Sequence, residues 1–190
     1  DRLLEAVARL PARVHCAIVG DGPLRSELQA RAAGLGVADR VRFTGHREDV
    51  PDLMAGLDLL VITSDRESLA NVMLEALAVG TPVVSTDVSG AREALAGLGG
   101  IREHRDVGGV GDLAGSGSGR GAGLGPRPGV VVDVDPGAIA GAVEGLLGDP
   151  DRRTRMGQAA RAVAERRFGR ERMLDDWEAV LRSVVREPGR

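Results

Sequence analysis

Residues 70 to 79, Ala-Asn-Val-Met-Leu-Glu-Ala-Leu-Ala-Val, constrain this chain more than any other stretch. Their spacing predicts a helix that is apolar nearly all round, through Val72, Met73, Leu74, Ala76, Leu77, Ala78 and Val79. A helix of that kind belongs inside a protein. Apolar runs stand on either side of it, at residues 57 to 63 and 82 to 85. Its one carboxylate, Glu75, has no basic residue within a helical turn. An unpaired carboxylate is costly to bury, so Glu75 must point out of the core, toward something that donates hydrogen bonds. Glu67 stands eight residues earlier, in the loop before the helix. Were the helix to run back that far, the two acids would lie roughly 80° apart in azimuth. Two acids flanking the free N–H groups of a helix start outline a site for a polyol that carries a phosphate. Spacing alone equally allows a plainer reading, in which Glu67 is a first-turn acid favoured by the helix dipole and Glu75 is solvated.

The rest of the chain alternates between short apolar runs and amphipathic segments. A helix is predicted over residues 1 to 10, with Pro11 as its stop, and a strand over 14 to 19 runs into Gly20-Asp-Gly22-Pro23. A helix then continues to about residue 35, and strands at 41–44 and 57–63 enclose a short helix at 50–55. After the central helix come a strand at 82–85, a helix at 91–95, a strand at 130–134 and a helix at 136–147. Two further helices, at about 151–168 and 170–186, make residues 149–190 a helical end. Continuous apolar strands between amphipathic helices predict an α/β fold, a Rossmann-like doubly wound parallel sheet with helices on both faces. Residues 1–190 read as a single domain. Residues 103–128 stand apart, with nine glycines and interleaved serine and arginine, and are expected to form a flexible insert that buries little.

In open parallel sheets ligands bind beyond the carboxyl ends of the strands. The loops expected there are 20–23, 45–47, 64–70 and 86–90. Gly20 and Gly22 begin like a dinucleotide fingerprint, but Arg25 stands where the third glycine should, and no acid follows at the required distance. The two glycines therefore either let backbone approach a phosphate or base, or simply make a tight strand-to-helix turn. His46 and Arg47 read either as binding residues or as an exposed polar turn. Asp133, Asp135, His15 and His104 lack metal-ligand spacing, so no metal is expected.

The segment Glu67-Ser-Leu-Ala-Asn-Val-Met-Leu-Glu75, followed by Ala76-Leu-Ala-Val-Gly-Thr-Pro-Val-Val-Ser85, closely resembles the E-x7-E segment of retaining GT-B glycosyltransferases of family 4. Val19-Gly-Asp-Gly-Pro-Leu24, Val41-Arg-Phe-Thr-Gly45, Asp58-Leu-Leu-Val-Ile-Thr-Ser64 and Arg166-Arg-Phe168 resemble other blocks of that family's nucleotide-binding half, in the same order. The likeness covers nearly the whole chain except residues 103–128. It implies that Glu75 accepts hydrogen bonds from the ribose of a nucleotide-diphospho-sugar, and that Glu67 meets the donor sugar nearest its reacting carbon, as the catalytic residue. It further implies that backbone N–H groups of Ala70, Asn71 and Val72 hold the sugar and β-phosphate. Gly20, Gly22, His46 and Arg47 would flank the nucleotide, and Ser89 and Gly90 the sugar. No cofactor and no metal is implied; the family stabilises the departing diphosphate with an Arg and a Lys.

In the family these two residues stand in a G-R-L…K-G segment, which would precede Asp1, and all 25 basic residues here are arginine. The expectation is a donor-binding half without its acceptor-binding N-terminal domain, not competent in catalysis alone. The strand preceding Asp1 in the family would lie between those at 14–19 and 57–63, so the domain is expected to lack its first strand and to show there either a gap or a strand donated from elsewhere. A degenerate domain that binds a nucleotide or a protein partner without chemistry, and a non-hydrolysing nucleotide-sugar epimerase, are the alternative readings. The net charge of −3 and the absence of a basic run argue against nucleic acid. Cys16, the single cysteine, is expected in the core and suggests a reducing cytoplasm. No run is long enough for a membrane span, and arginine without lysine beside abundant Ala and Gly suggests a GC-rich bacterial coding bias. Peripheral membrane association is expected only of a full-length enzyme.

Overall fold

A computed structural model describes residues 1–95 and 127–185. Helix α1 (Arg2–Arg9) buries Leu4, Ala6 and Val7, and Leu10 turns extended before Pro11, as a residue preceding proline must. Strand β1 (Cys16–Val19), helix α2 (Arg25–Gly34), strand β2 (Val41–Gly45) and helix α3 (Val50–Ala55) follow. Strand β3 (Leu60–Ile62) leads to helix α4 (Asn71–Val79), which Gly80 ends at φ +82°. Strand β4 (Val83–Thr86), helix α5 (Ser89–Leu95) and strand β5 (Gly129–Val132) come next among the described residues. Asp135 caps helix α6 (Pro136–Leu147) by accepting from the N–H of Ala138 at 2.8 Å, and Asp149 caps helix α7 (Pro150–Phe168) in the same way through Arg152. Both caps stand immediately before a proline in the first turn, where its missing N–H costs nothing. Helix α8 (Arg170–Val185) ends the described chain. The glycine-rich insert lies outside the described residues, apart from Arg127 and Pro128.

Among the described residues all strand pairs are parallel, but the sheet is in two pieces, β2-β1 and β3-β4-β5. Among the described residues no ladder joins β1 to β3, so the expected gap is present. Cys16 donates to the Arg40 carbonyl and Leu60 to the Pro82 carbonyl. Strand alternation then turns the backbone groups of Ala17 and Val61 toward the open edges. Helix α1 holds the pieces together. Leu4 and Val7 pack with Val41, Cys16 and Ile18 on the first piece; Ala6 and Leu10 pack with Val84, Leu59 and Val61 on the second. Arg2 adds a hydrogen bond to the Thr63 carbonyl, at 2.8 Å, just past β3.

Two expectations need correction. The run at 57–63 is not strand throughout, because the Leu57 N–H is spent on the Met54 carbonyl, closing α3, and only Leu60–Ile62 pair. Coverage on both faces holds for β3-β4-β5, where Val83 and Ile62 face α4, α5 and α7, and Val84 and Val61 face α1 and α6. It fails for β1. Cys16 and Ile18 turn toward α1 and α2, while Ala17 and Val19 are exposed on the other face. The Cys16 thiol is pushed up to about 11 by burial.

Helix α7 crosses the carboxyl end of α4 so closely that a Cβ on Gly157 would stand 2.5 Å from the Gly80 carbonyl oxygen. Arg161 donates to the Val79 carbonyl, at 3.0 Å from Nη2, and so satisfies an orphan acceptor of α4. Helix α8 leaves the body and exposes Met173, Leu174, Trp177 and Leu181 along one side.

Candidate functional site

The amino end of α4 is the centre of the site. Met73, Ala76 and Leu77 are fully buried and fix the helix in the core with Ile62, Val83, Ala91 and Ala160. Glu75 falls on the opposite side and is exposed, as its charge requires. Ala70 takes the N-cap position in extended conformation, and no side chain caps the helix. The Met73 N–H turns back to the Ala70 carbonyl at 2.9 Å, while those of Asn71 and Val72 keep their donor capacity and the partial positive charge of the helix end. Asn71 and Val72, which open the helix, are exposed. Glu67 is half-buried in the loop, three residues before the N-cap rather than on the helix. Among the described residues, neither Glu67 nor Glu75 has an ion-pair partner.

The loop that carries Glu67 is tied from outside. Arg2 pairs with Asp65 at 2.7 Å. The buried Thr86 hydroxyl donates to the Ser64 carbonyl at 2.6 Å. Gly90, buried in the first turn of α5, packs against the peptide joining Ser68 to Leu69, while Ser89 beside it is exposed. Ser89 and Gly90 are thus brought to the Glu67 loop.

The glycines at β1 and β2 form a second group. Gly20, at φ +114°, donates its N–H to the Gly45 carbonyl at 2.9 Å, which sets the turn after β1 against the turn after β2. The Gly22 N–H bonds the Asp21 carboxylate. Both N–H groups are internally engaged, yet a Cβ at either position would meet open space, so the backbone stays approachable on that side. His46 is exposed at this corner. Arg47 is held by Asp49, whose carboxyl its guanidinium keeps below the usual carboxylate range through a side-chain hydrogen bond. The two groups are linked through α3, whose Val50 and Met54 share a core cluster with Ala70 and Met73.

Sequence reasoning missed Arg2, Asp49 and Thr86. Asp49 stood in view two residues from Arg47. Arg2 and Thr86 act across 63 and 22 residues and left no local signal. Among the described residues no group of three metal-ligating side chains converges.

Residues 1–149 match the family model described as glycosyl transferases group 1. The chain belongs to that family. It is 34% identical over 182 residues to a lipopolysaccharide core biosynthesis glycosyltransferase, LpsE, of Rhizobium meliloti (strain 1021), a match covering 95% of this chain and 45% of the relative. In structure it is similar to Anabaena Alr3699/HepE in complex with UDP, with a TM-score of 0.76 and 26% identity over 96% of this chain and 44% of that one. The C-terminal domain of a group 1 glycosyl transferase, LpcC of Francisella tularensis, has the same fold at 18% identity, with a TM-score of 0.64 over 88% of this chain and 77% of that one. The chain spans less than half the length of the first two. It is an α/β glycosyltransferase domain of the GT-B type.

Proposed function

We propose that this chain is the donor-binding part of a retaining glycosyltransferase of family 4, which moves a sugar from a nucleotide-diphospho-sugar to an acceptor hydroxyl. The observation that carries the reading is the pairing of an uncapped helix start with Glu75, a carboxylate without an ion-pair partner among the described residues, exposed on the same buried helix. A helix start offers N–H donors and positive potential to a diphosphate, and an exposed carboxylate accepts from a pair of ribose hydroxyls. On this reading Glu75 binds the ribose, and Glu67 lies beside the hydroxyls of the donor sugar, closest to the reacting carbon. The first N–H groups of α4, at Asn71 and Val72 with Ala70 before them, hold the sugar and β-phosphate. Gly20, Gly22, His46 and Arg47 border the nucleotide, and Ser89 and Gly90 the sugar. HepE, at 26% identity, has been solved with UDP and with UDP-glucose, which supports a nucleotide-sugar as ligand.

The reaction would proceed without a metal. Charge on the departing diphosphate would be balanced by the helix end and by cations outside these 190 residues, and the acceptor would be held by a preceding domain. The chain alone would then bind donor without transferring sugar, in the cytoplasm. No helix among the described residues is long and apolar enough to cross a membrane.

Calorimetry with UDP and UDP-glucose tests the assignment. Glu75→Ala removes charge-assisted hydrogen bonds of ~1.5–3 kcal/mol and should weaken UDP by about ten- to a hundredfold. Glu67→Ala should leave UDP nearly unchanged and weaken UDP-glucose. Equal losses of UDP in both variants reject the ribose assignment.

A further inference from the structure

We propose that Thr86 and Gly90, at the corner between β4 and α5, are positioning residues. They hold the loop of residues 64–70, and with it Glu67, in register with the amino end of α4. The inference rests on the donor-site reading above for its ligand, and on packing alone for its mechanism.

The loop is fastened at both ends by this corner. At its start the Thr86 hydroxyl donates to the Ser64 carbonyl at 2.6 Å, with the Ile62 carbonyl 3.5 Å away. Thr86 is fully buried, and its own ladder partner is Val132 through the backbone. The sheet would accept a valine at this position; the hydroxyl serves the loop. At the far end a Cβ on Gly90 would lie 1.8 Å from the Ser68 carbonyl oxygen and 2.7 Å from Leu69 Cα. Glycine is a poor helix former, so its presence in α5 answers to the loop and not to the helix. Val88 and Ala91, on either side of it, are buried in the same cluster as Ala70. Only Asp65, Arg66 and Glu67 lie between the two fastenings, and Arg2 pins Asp65.

An alanine at position 90 must push the peptide joining residues 68 and 69 away by roughly 1.5 Å to reach an ordinary carbon–oxygen contact. Glu67 moves with that peptide. Glu75 does not, because Met73, Ala76 and Leu77 anchor α4 independently. The corner therefore governs the sugar end of the site separately from the nucleotide end.

The test uses the 190-residue chain, UDP and UDP-glucose as probes, and hydrogen exchange over residues 64–70. In Gly90→Ala, UDP affinity should stay within about twofold, while whatever affinity glucose adds is lost and exchange in the loop rises about tenfold or more. Thr86→Val should weaken UDP-glucose relative to UDP by about fivefold, and Thr86→Ser, which keeps the donor, should restore it. Should Gly90→Ala not fold, the Thr86 pair decides alone. Unchanged exchange with an unchanged glucose increment overturns the proposal, as does an equal loss for both ligands, which marks a purely structural role. If the wild-type chain binds neither ligand, the donor reading fails, and the exchange measurement by itself upholds or overturns the fastening.

Discussion

The crossing of α4 by α7 supports a sharp test, because two helical glycines of this protein should respond to alanine in opposite directions. Gly157 faces the carbonyl of Gly80, and its Cβ would stand 2.5 Å from that oxygen. An ordinary carbon–oxygen contact is about 3.3 Å, so the helices must part by roughly 0.8 Å. The obstacle is backbone, which cannot rotate aside, and overpacking of that kind costs ~3 kcal/mol, the upper end of its range. Replacing glycine in a helix interior returns about 1 kcal/mol. The net loss is then ~2 kcal/mol, or about 4–8 °C in Tm for a domain of this size. Gly141, inside α6, has nothing within 4 Å of its Cβ position. There alanine collects only the propensity gain, and Tm should rise by about 2–4 °C. Differential scanning calorimetry of the two variants decides the matter. A neutral or stabilised Gly157→Ala would refute the close crossing, and with it the account of how the carboxyl end of α4 is held.

Two further outcomes follow from other parts of the fold. Burial pushes the Cys16 thiol up to about 11. A raised folded value means that Cys16 favours the native state fully below the ordinary thiol value of 9.0 and ceases to do so as pH rises through 11. The contribution is roughly 2–3 kcal/mol; urea midpoints from pH 8 to 11 should fall less steeply in Cys16→Ala than in wild type, and equal slopes would count against the burial. The open edges of β1 and β3, with Val19 40% exposed beside them, should make the chain self-associate at concentrations of ~100 μM. Val19→Lys should reduce that association in sedimentation runs without lowering Tm, and a wild-type chain that stays monomeric there would show that the edges are protected.

Local chemistry made much of the fold legible. Val50–Ala55 and Pro136–Leu147 were bounded correctly because a proline in the first turn marks each start. The gap between β1 and β3 was legible from the resemblance, through the order of the strands. The run at 57–63 was read too long, because apolar residues do not reveal that the Leu57 N–H belongs to the end of α3. Ala17 and Val19 looked like core, and nothing local says that one face of β1 stays open. At the site, the two glutamates and the helix start between them were visible in the motif. The contacts that fix Glu67 were not, because Arg2, Thr86 and Gly90 reach its loop from other elements. Gly90 was read as a sugar-side residue; its packing under Ser68 depends on where α5 starts, at Ser89 and two residues earlier than the pattern suggested.

The two ends of α4 are built differently, and the difference bears on what the helix is for. At the carboxyl end Gly80 adopts the left-handed conformation, Arg161 bonds the Val79 carbonyl, and the Thr81 hydroxyl bonds the Met54 carbonyl at 2.7 Å. At the amino end Ala70 stands where serine, threonine, aspartate or asparagine would add ~0.5–2 kcal/mol. Full burial of Met73 and Leu77, at ~1.5–3 kcal/mol each, exceeds that shortfall. The helix can therefore leave its first N–H groups without a side-chain cap and still be rigid. A capping residue at position 70 would place an acceptor against those donors, but Ala70 is itself buried in the core cluster, where a polar side chain carries a desolvation cost. Alanine there serves the core and also leaves the N–H groups of Asn71 and Val72 open, which is what the proposed anion site requires.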